Sequence, residues 1–190
     1  EILNERGWIL AERTYSIWPD MEAVLREHGI PQFTLDAHRP VGKFDLLGVS
    51  FSTELGYTNL LNLLDLSGMT LHAKDRGEDE PVVVAGGHAA FNPEPIADFI
   101  DVAVLGDGEE ASLLISDIVR EWKQDGREGG RDGLLLRLAV TGAFYVPKFY
   151  DVDYLDDGRI QRVAPNRPEV PFQVRKHTLM DLDAWPYPKK

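Results

Sequence analysis

The stretch Val82–Glu110, VVVAGGHAAFNPEPIADFIDVAVLGDGEE, decides how the chain folds. It holds two apolar runs, and each enters a glycine-rich turn: Gly86-Gly87-His88 after the first, Gly106-Asp107-Gly108 after the second. Short apolar runs bounded by turn residues read as buried strands. A connection of about 20 residues is long enough for a parallel crossover, which sets both turns on one rim. In open α/β sheets, ligands bind beyond the carboxyl ends of parallel strands. The stretch therefore predicts a parallel sheet with a ligand-binding edge.

The flanking sequence extends this pattern. Phe44–Phe51 is the strongest strand of the first half, and Ser52-Thr53-Glu54 leaves it toward the same rim. A helix follows, with Tyr57, Leu60, Leu61 and Leu64 as its buried stripe and Gly68 as its end. Upstream, Leu10–Tyr15 reads as a short strand. Trp18-Pro19-Asp20 then opens a helix whose Met21, Val24, Leu25 and His28 share one core face, and Gly29 stops it. Lys74–Glu80 is a charged loop. Asn92-Pro93-Glu94-Pro95 reads as a compact helix start with Asn92 as N-cap.

Asp101–Leu105 is the next strand. Gly108–Lys123 is the best-patterned helix, with Ala111, Leu114, Ile115, Ile118, Val119 and Trp122 on one face. Gln124–Gly133 reads as a flexible, charged loop. Phe144–Tyr154 and Arg159–Val163 then read as two strands around Asp156-Asp157-Gly158, a hairpin signal. The expected fold class is α/β: a Rossmann-like or flavodoxin-like three-layer domain with a mostly parallel sheet, plus a C-terminal β-hairpin extension. The expected divisions are residues 1–140 for the α/β domain, 141–180 for the extension and 181–190 for a linker.

Composition narrows the function. The 190 residues include no cysteine, so the chain offers no disulfide, no thiolate metal site and no cysteine nucleophile. No apolar run approaches the about 18 residues that span a bilayer, and no secretory signal opens the chain. A soluble, cytoplasmic protein with no membrane partner is expected. The net charge of −12 argues against direct nucleic-acid binding, which needs concentrated positive charge.

Candidate site residues come from the strand ends. Gly86 and Gly87 allow a ligand close to bare backbone, and His88 beside them can donate, accept or ligate. The plain alternative is a tight turn with a solvated histidine. Gly106 and Gly108 precede a helix N-terminus, an arrangement that attracts anions. Asp107, Glu109 and Glu110 would instead repel phosphate there, and so cap the helix or accept hydrogen bonds from ligand hydroxyls or amides. Neither loop matches a dinucleotide GxGxxG or a phosphate-binding Walker sequence. Ser52 and Thr53 either cap the next helix or reach a ligand.

Gly86–Glu110 as a whole resembles the N-terminal domain of cobalamin-binding-type radical S-adenosylmethionine (radical SAM) proteins. It is similar to a bacterial subgroup that carries an AGG…FNPEP…D…GDGEE run. The segments WPDMEAVLREHGIP (18–31), FDLLGVSFSTELGYTNLLNLLDLSG (44–68) and LDAWPYPKK (182–190) are similar to that subgroup too. The resemblance implies a Rossmann-like domain whose first strand precedes Glu1. It also implies a radical SAM barrel as partner in the same polypeptide. A 4Fe–4S cluster and S-adenosylmethionine would then belong to the parent protein and not to this chain.

Cobalamin is the candidate ligand that the resemblance implies. The positions matching those beside the corrin and its nucleotide tail are Gly86, Gly87, His88, Gly106, Asp107, Gly108 and Glu109, with Ser52 on the adjoining strand end. Asp36-Ala37-His38-Arg39-Pro40-Val41 lacks the glycine of a cobalt-ligating DxHxxG, so no metal ligand is assigned. The expected function is an accessory domain that binds a corrinoid base-off, or guides substrate to the barrel, and catalyses nothing alone. The alternatives are a stand-alone flavodoxin-like or nucleotide-sugar-binding module, and a purely structural docking domain.

Overall fold

Three short parallel strands carry the architecture of the computed structural model, which describes residues 1–186: β1 (Leu46–Ser50), β2 (Val82–Gly86) and β3 (Val102–Ala103), in the order β1-β2-β3. Tyr187-Pro188-Lys189-Lys190, the end of the expected linker, lie outside the described residues. Leu46 pairs with Val82 and Ser50 with Gly86, and Val84 pairs with Val102. Tyr145 bridges antiparallel to Ala103, through backbone hydrogen bonds of 2.7 and 3.0 Å, and widens the sheet by one position. The α/β class with a parallel sheet and a C-terminal hairpin is therefore as expected.

Side chains alternate across a strand. Leu47, Val83 and Ala85 are buried on one face, in the same core as Leu60, Leu63 and Leu64 of α2 (Tyr57–Leu66). The opposite face turns Leu46, Gly48, Ser50, Val84 and Gly86 toward a cavity walled by α3 (Gly108–Gln124). α3 buries Ala111, Ile115, Ser116, Val119 and Trp122, close to its expected face. α1 (Pro19–His28) ends at Gly29 with φ 62°, as the glycine predicts, but it buries only Leu25; Met21 and Val24 are exposed.

Several expected elements take other forms. Leu10–Tyr15 is not a strand. The backbone N–H and C=O of Ala11 are both taken by the side chain of Asn4, and the C=O of Arg13 accepts from Leu35 N–H, so no ladder forms. Asn92–Pro95 starts only a 3-10 turn, Glu94–Ile96, and Asn92 makes no cap. Pro93 and Pro95 supply no donors, and the carbonyls of Ala89 and Asn92 are engaged by the Tyr57 hydroxyl at 2.9 Å each. Phe144–Tyr154 is strand only from Tyr150, as β4 (Tyr150–Tyr154), paired antiparallel with β5 (Ile160–Pro165). Gly158, at φ 84°, makes the turn between them.

The charged block Gln124–Gly133 is not a free loop, because α4 (Gly130–Val140) begins inside it. Arg131 is buried and donates to Asp101 at 2.8 Å, and Arg76 reaches the same carboxylate oxygen at 2.8 Å. The guanidinium of Arg76 also donates to the carbonyls of Thr70, Leu71 and Phe99, while Arg131 donates to Gly77, Glu80 and Pro81. One buried carboxylate thus ties the loop before β2 to α4. No helix among the described residues is long and apolar enough to cross a membrane.

Candidate functional site

The cavity over the sheet measures about 1030 Å³. Its floor is the bare strip Gly48, Ser50 and Gly86, with Leu46, Val84 and Val104 beside it. Glycine inside a strand weakens the strand and marks a bend or a close approach by another group. At Gly48 and Gly86 an added Cβ would meet nothing within 4 Å, and neither residue has a positive φ. Neither backbone conformation nor crowding therefore requires glycine there, and any side chain would project into the open space above the strands.

Six of the eight candidates line this cavity: Gly86, Gly87, Gly106, Asp107, Gly108 and Glu109. The other two do not. Ser52 is exposed and lines a separate cavity of about 320 Å³ with Phe51, Thr53 and Asn59. His88 is exposed at the start of a 3-10 turn, His88–Phe91, and borders neither cavity.

The two glycine turns are shaped largely by this chain's own backbone. Gly87 sits at φ 87°, and a Cβ there would lie 2.6 Å from the carbonyl oxygen of Phe51. Gly106 sits at φ 105°, and a Cβ there would run into the carbonyl oxygen of His177. The segment around His177 lies on the second turn: His177 N–H donates to Leu105 at 2.7 Å, and Asp107 N–H donates to His177 at 3.1 Å. The carboxylate of Asp107 accepts from Leu179 N–H at 2.7 Å, so it is committed to that segment. Gly108 and Glu109 stay open to the cavity: a Cβ at Gly108 meets nothing within 4 Å, and the Glu109 side chain has no hydrogen-bond partner among the described residues.

The FNPEP run braces this arrangement. Glu94 accepts hydrogen bonds from the hydroxyls of Tyr145 at 2.9 Å and Tyr154 at 3.3 Å, joining the first glycine loop to the C-terminal hairpin. Burial, reinforced by the charge of Glu94, pushes the Tyr145 phenol well above its ordinary value, so it remains a donor across the physiological range.

Sequence reasoning missed the remaining walls. Leu3 and the run Trp8–Glu12 cross the cavity, and Arg120 and Lys123 border it from the last turns of α3. Among the described residues, no backbone hydrogen bond joins residues 1–12 to the rest of the chain. The strap is held by the Arg120 guanidinium, 4.5 Å from the Trp8 ring centroid, and by Glu12, which accepts from Thr34. Lys123 pairs with Asp45 at 2.7 Å. The one signal available in the sequence was Gly48, a glycine in the middle of an apolar strand.

Parallel strands, a covering helix and a cavity reaching the strands' carboxyl ends define an α/β domain. Residues 1–147 match the family described as radical SAM proteins, N-terminal, and the chain belongs to that family. No curated protein and no solved structure matches it.

Proposed function

We propose that this chain is the accessory N-terminal domain of a radical SAM enzyme, and that its sheet-face cavity seats an elongated ligand for the catalytic barrel of the same polypeptide. In this reading residues 1–140 serve as the platform and 141–180 as a brace, and the linker expected from residue 181 would join the barrel. The observation that carries this reading is the bare floor at Gly48 and Gly86, where a glycine in each strand leaves ligand-sized space above the sheet.

A base-off corrinoid is the first candidate. Gly86, Gly87, Gly106, Gly108 and Glu109 would border it, and a bound corrinoid would supply cobalt-centred methyl or radical chemistry. Among the described residues no histidine lines the cavity, so these walls offer no imidazole to cobalt. The 4Fe–4S cluster and S-adenosylmethionine would belong to the barrel, since this chain has no cysteine to ligate iron.

Titrating the full-length protein with hydroxocobalamin tests the reading. Saturable movement of the corrin absorbance, abolished by Gly86→Leu, is the expected result. An unchanged spectrum at millimolar ligand removes the corrinoid and leaves a platform that guides substrate. The engagement of Gly106 and Asp107 by the His177 segment favours that second reading, because it occupies part of the rim.

A further inference from the structure

Six charged residues border the large cavity, and four are already engaged. Asp107 holds Leu179 N–H, Glu12 holds Thr34, and Asp45 and Lys123 hold each other. Two remain without a polar partner among the described residues: Glu109, in the first turn of α3, and Arg120, near its last. Arg120 is exposed and, among the described residues, makes no ion pair and donates no hydrogen bond; its guanidinium lies over the Trp8 ring, 4.5 Å from the centroid. A guanidinium held by its face keeps its edge donors free for a planar or tetrahedral anion. The two lie eleven positions apart, which is about 16 Å along a helix.

The cavity is thus polarised. One end carries an acid beside the glycine turns, and the other carries a free cation beside the strap. Between them lie Gly48, Val84, Gly86, Ala111, Ile115 and Val119. The charges follow the helix dipole: carboxylates occupy the N-terminal turn of α3 and the cation lies toward its C-terminal end, so an anion meets a counter-charge at Arg120 and not at the glycine turns.

We infer that the ligand of this cavity is an apolar-bodied organic anion, its acid group held by Arg120 and its body lying over Gly48 and Gly86 toward Glu109. This rests on the proposal that the cavity is a ligand site and belongs to its substrate-guiding form, in which the anion takes the place of a corrinoid. The strap then has a role in selection, because Trp8 fixes the guanidinium in place at the mouth.

Two fluorescent probes of like shape separate the claims. 1-Anilinonaphthalene-8-sulfonate is anionic, and N-phenyl-1-naphthylamine lacks the sulfonate. Both are expected to bind the full-length protein, and both to weaken in Gly48→Leu and Gly86→Leu, which fill the cavity where a Cβ meets no neighbour. Arg120→Gln is expected to weaken the sulfonate probe about tenfold, the worth of one hydrogen bond to a charged group, and to leave the neutral probe unchanged. Arg120→Lys should retain most of the preference. Equal effects of Arg120→Gln on both probes, or none on the sulfonate, overturn the inference and leave the ligand cavity standing. Probe binding that survives both leucine variants overturns the cavity reading itself. Thermal unfolding of each variant, matched to the parent, excludes loss of fold as the cause.

Discussion

The backbone carbonyl of His177 occupies the position where a side chain on Gly106 would begin. Two segments 71 residues apart in sequence therefore meet backbone to backbone, and Leu105, Asp107 and His177 exchange hydrogen bonds across the contact. The second glycine turn is a docking point for the C-terminal segment, in addition to forming part of the cavity rim.

Gly106→Ala is accordingly expected to be costly. The residue sits at φ 105°, where a Cβ is strained, and that Cβ meets backbone that cannot rotate aside. A loss of at least about 2 kcal/mol is expected from the strained conformation and the displaced contact together. Urea unfolding measures it, and limited proteolysis near Arg175-Lys176 should become faster in the variant. A stability equal to the parent's would show that the His177 segment does not need this contact.

Gly48 and Gly86 should behave in the opposite way. Each lies in a strand with ordinary φ and open space at the Cβ position. Gly48→Ala and Gly86→Ala are each expected to raise stability by about 0.5 to 1 kcal/mol, through lower unfolded-chain entropy. Thermal or urea midpoints check the sign. Destabilisation by either alanine would mean that the strands need these glycines for conformation, which would remove the main support for the cavity as a ligand site.

What the sequence reveals depends on how local the cause is. The strands at Leu46–Ser50 and Val82–Gly86 announce themselves through consecutive apolar residues, and α3 through its periodic face. The start of α4 does not, because Arg131 looks like a solvent residue until Asp101, 30 positions away, is known to receive it. Leu10–Tyr15 carries strand-like residues, but Asn4 intercepts the backbone of Ala11. Of the rim, the glycine turns were legible and their use was not. That His177 covers Gly106, and that Trp8 crosses to Arg120, are long-range facts with no local pattern.

The buried knot around Asp101 gives a third expectation. Its carboxylate, with the Arg76 side chain, is wholly shielded from water, and Arg131 is 8% exposed. Asp101→Asn leaves two guanidinium groups without their counter-charge, at a cost of about 3 to 5 kcal/mol for breaking a buried pair. The site also accepts from Val83 N–H at 2.8 Å, so β2 and β3 should loosen together. Hydrogen exchange at Val83 reads this directly. Unchanged protection there, with unchanged stability, would show that the knot is dispensable.

Glu80 supplies the expected pH response. Its carboxylate accepts from Thr70 N–H at 2.6 Å and from Gly77 N–H at 2.8 Å, closing the loop that delivers Arg76 to the knot. Burial alone would raise its pKa, but the hydrogen bonds from Thr70 and Gly77, together with the charge of Arg76, outweigh it and hold the group below its ordinary value of 4.5. A carboxylate whose folded pKa is depressed contributes stability that is fully present above the unfolded value and is lost as pH falls through the folded one. The parent should therefore lose stability on acidification below 4.5 more steeply than Glu80→Gln. The gap between the two proteins should be widest near neutrality and narrow as the pH falls below 4.5. Urea midpoints across that range decide the matter. A gap that stays constant with pH would place the effect of the substitution in packing, and would remove Glu80 from the acid response of the fold.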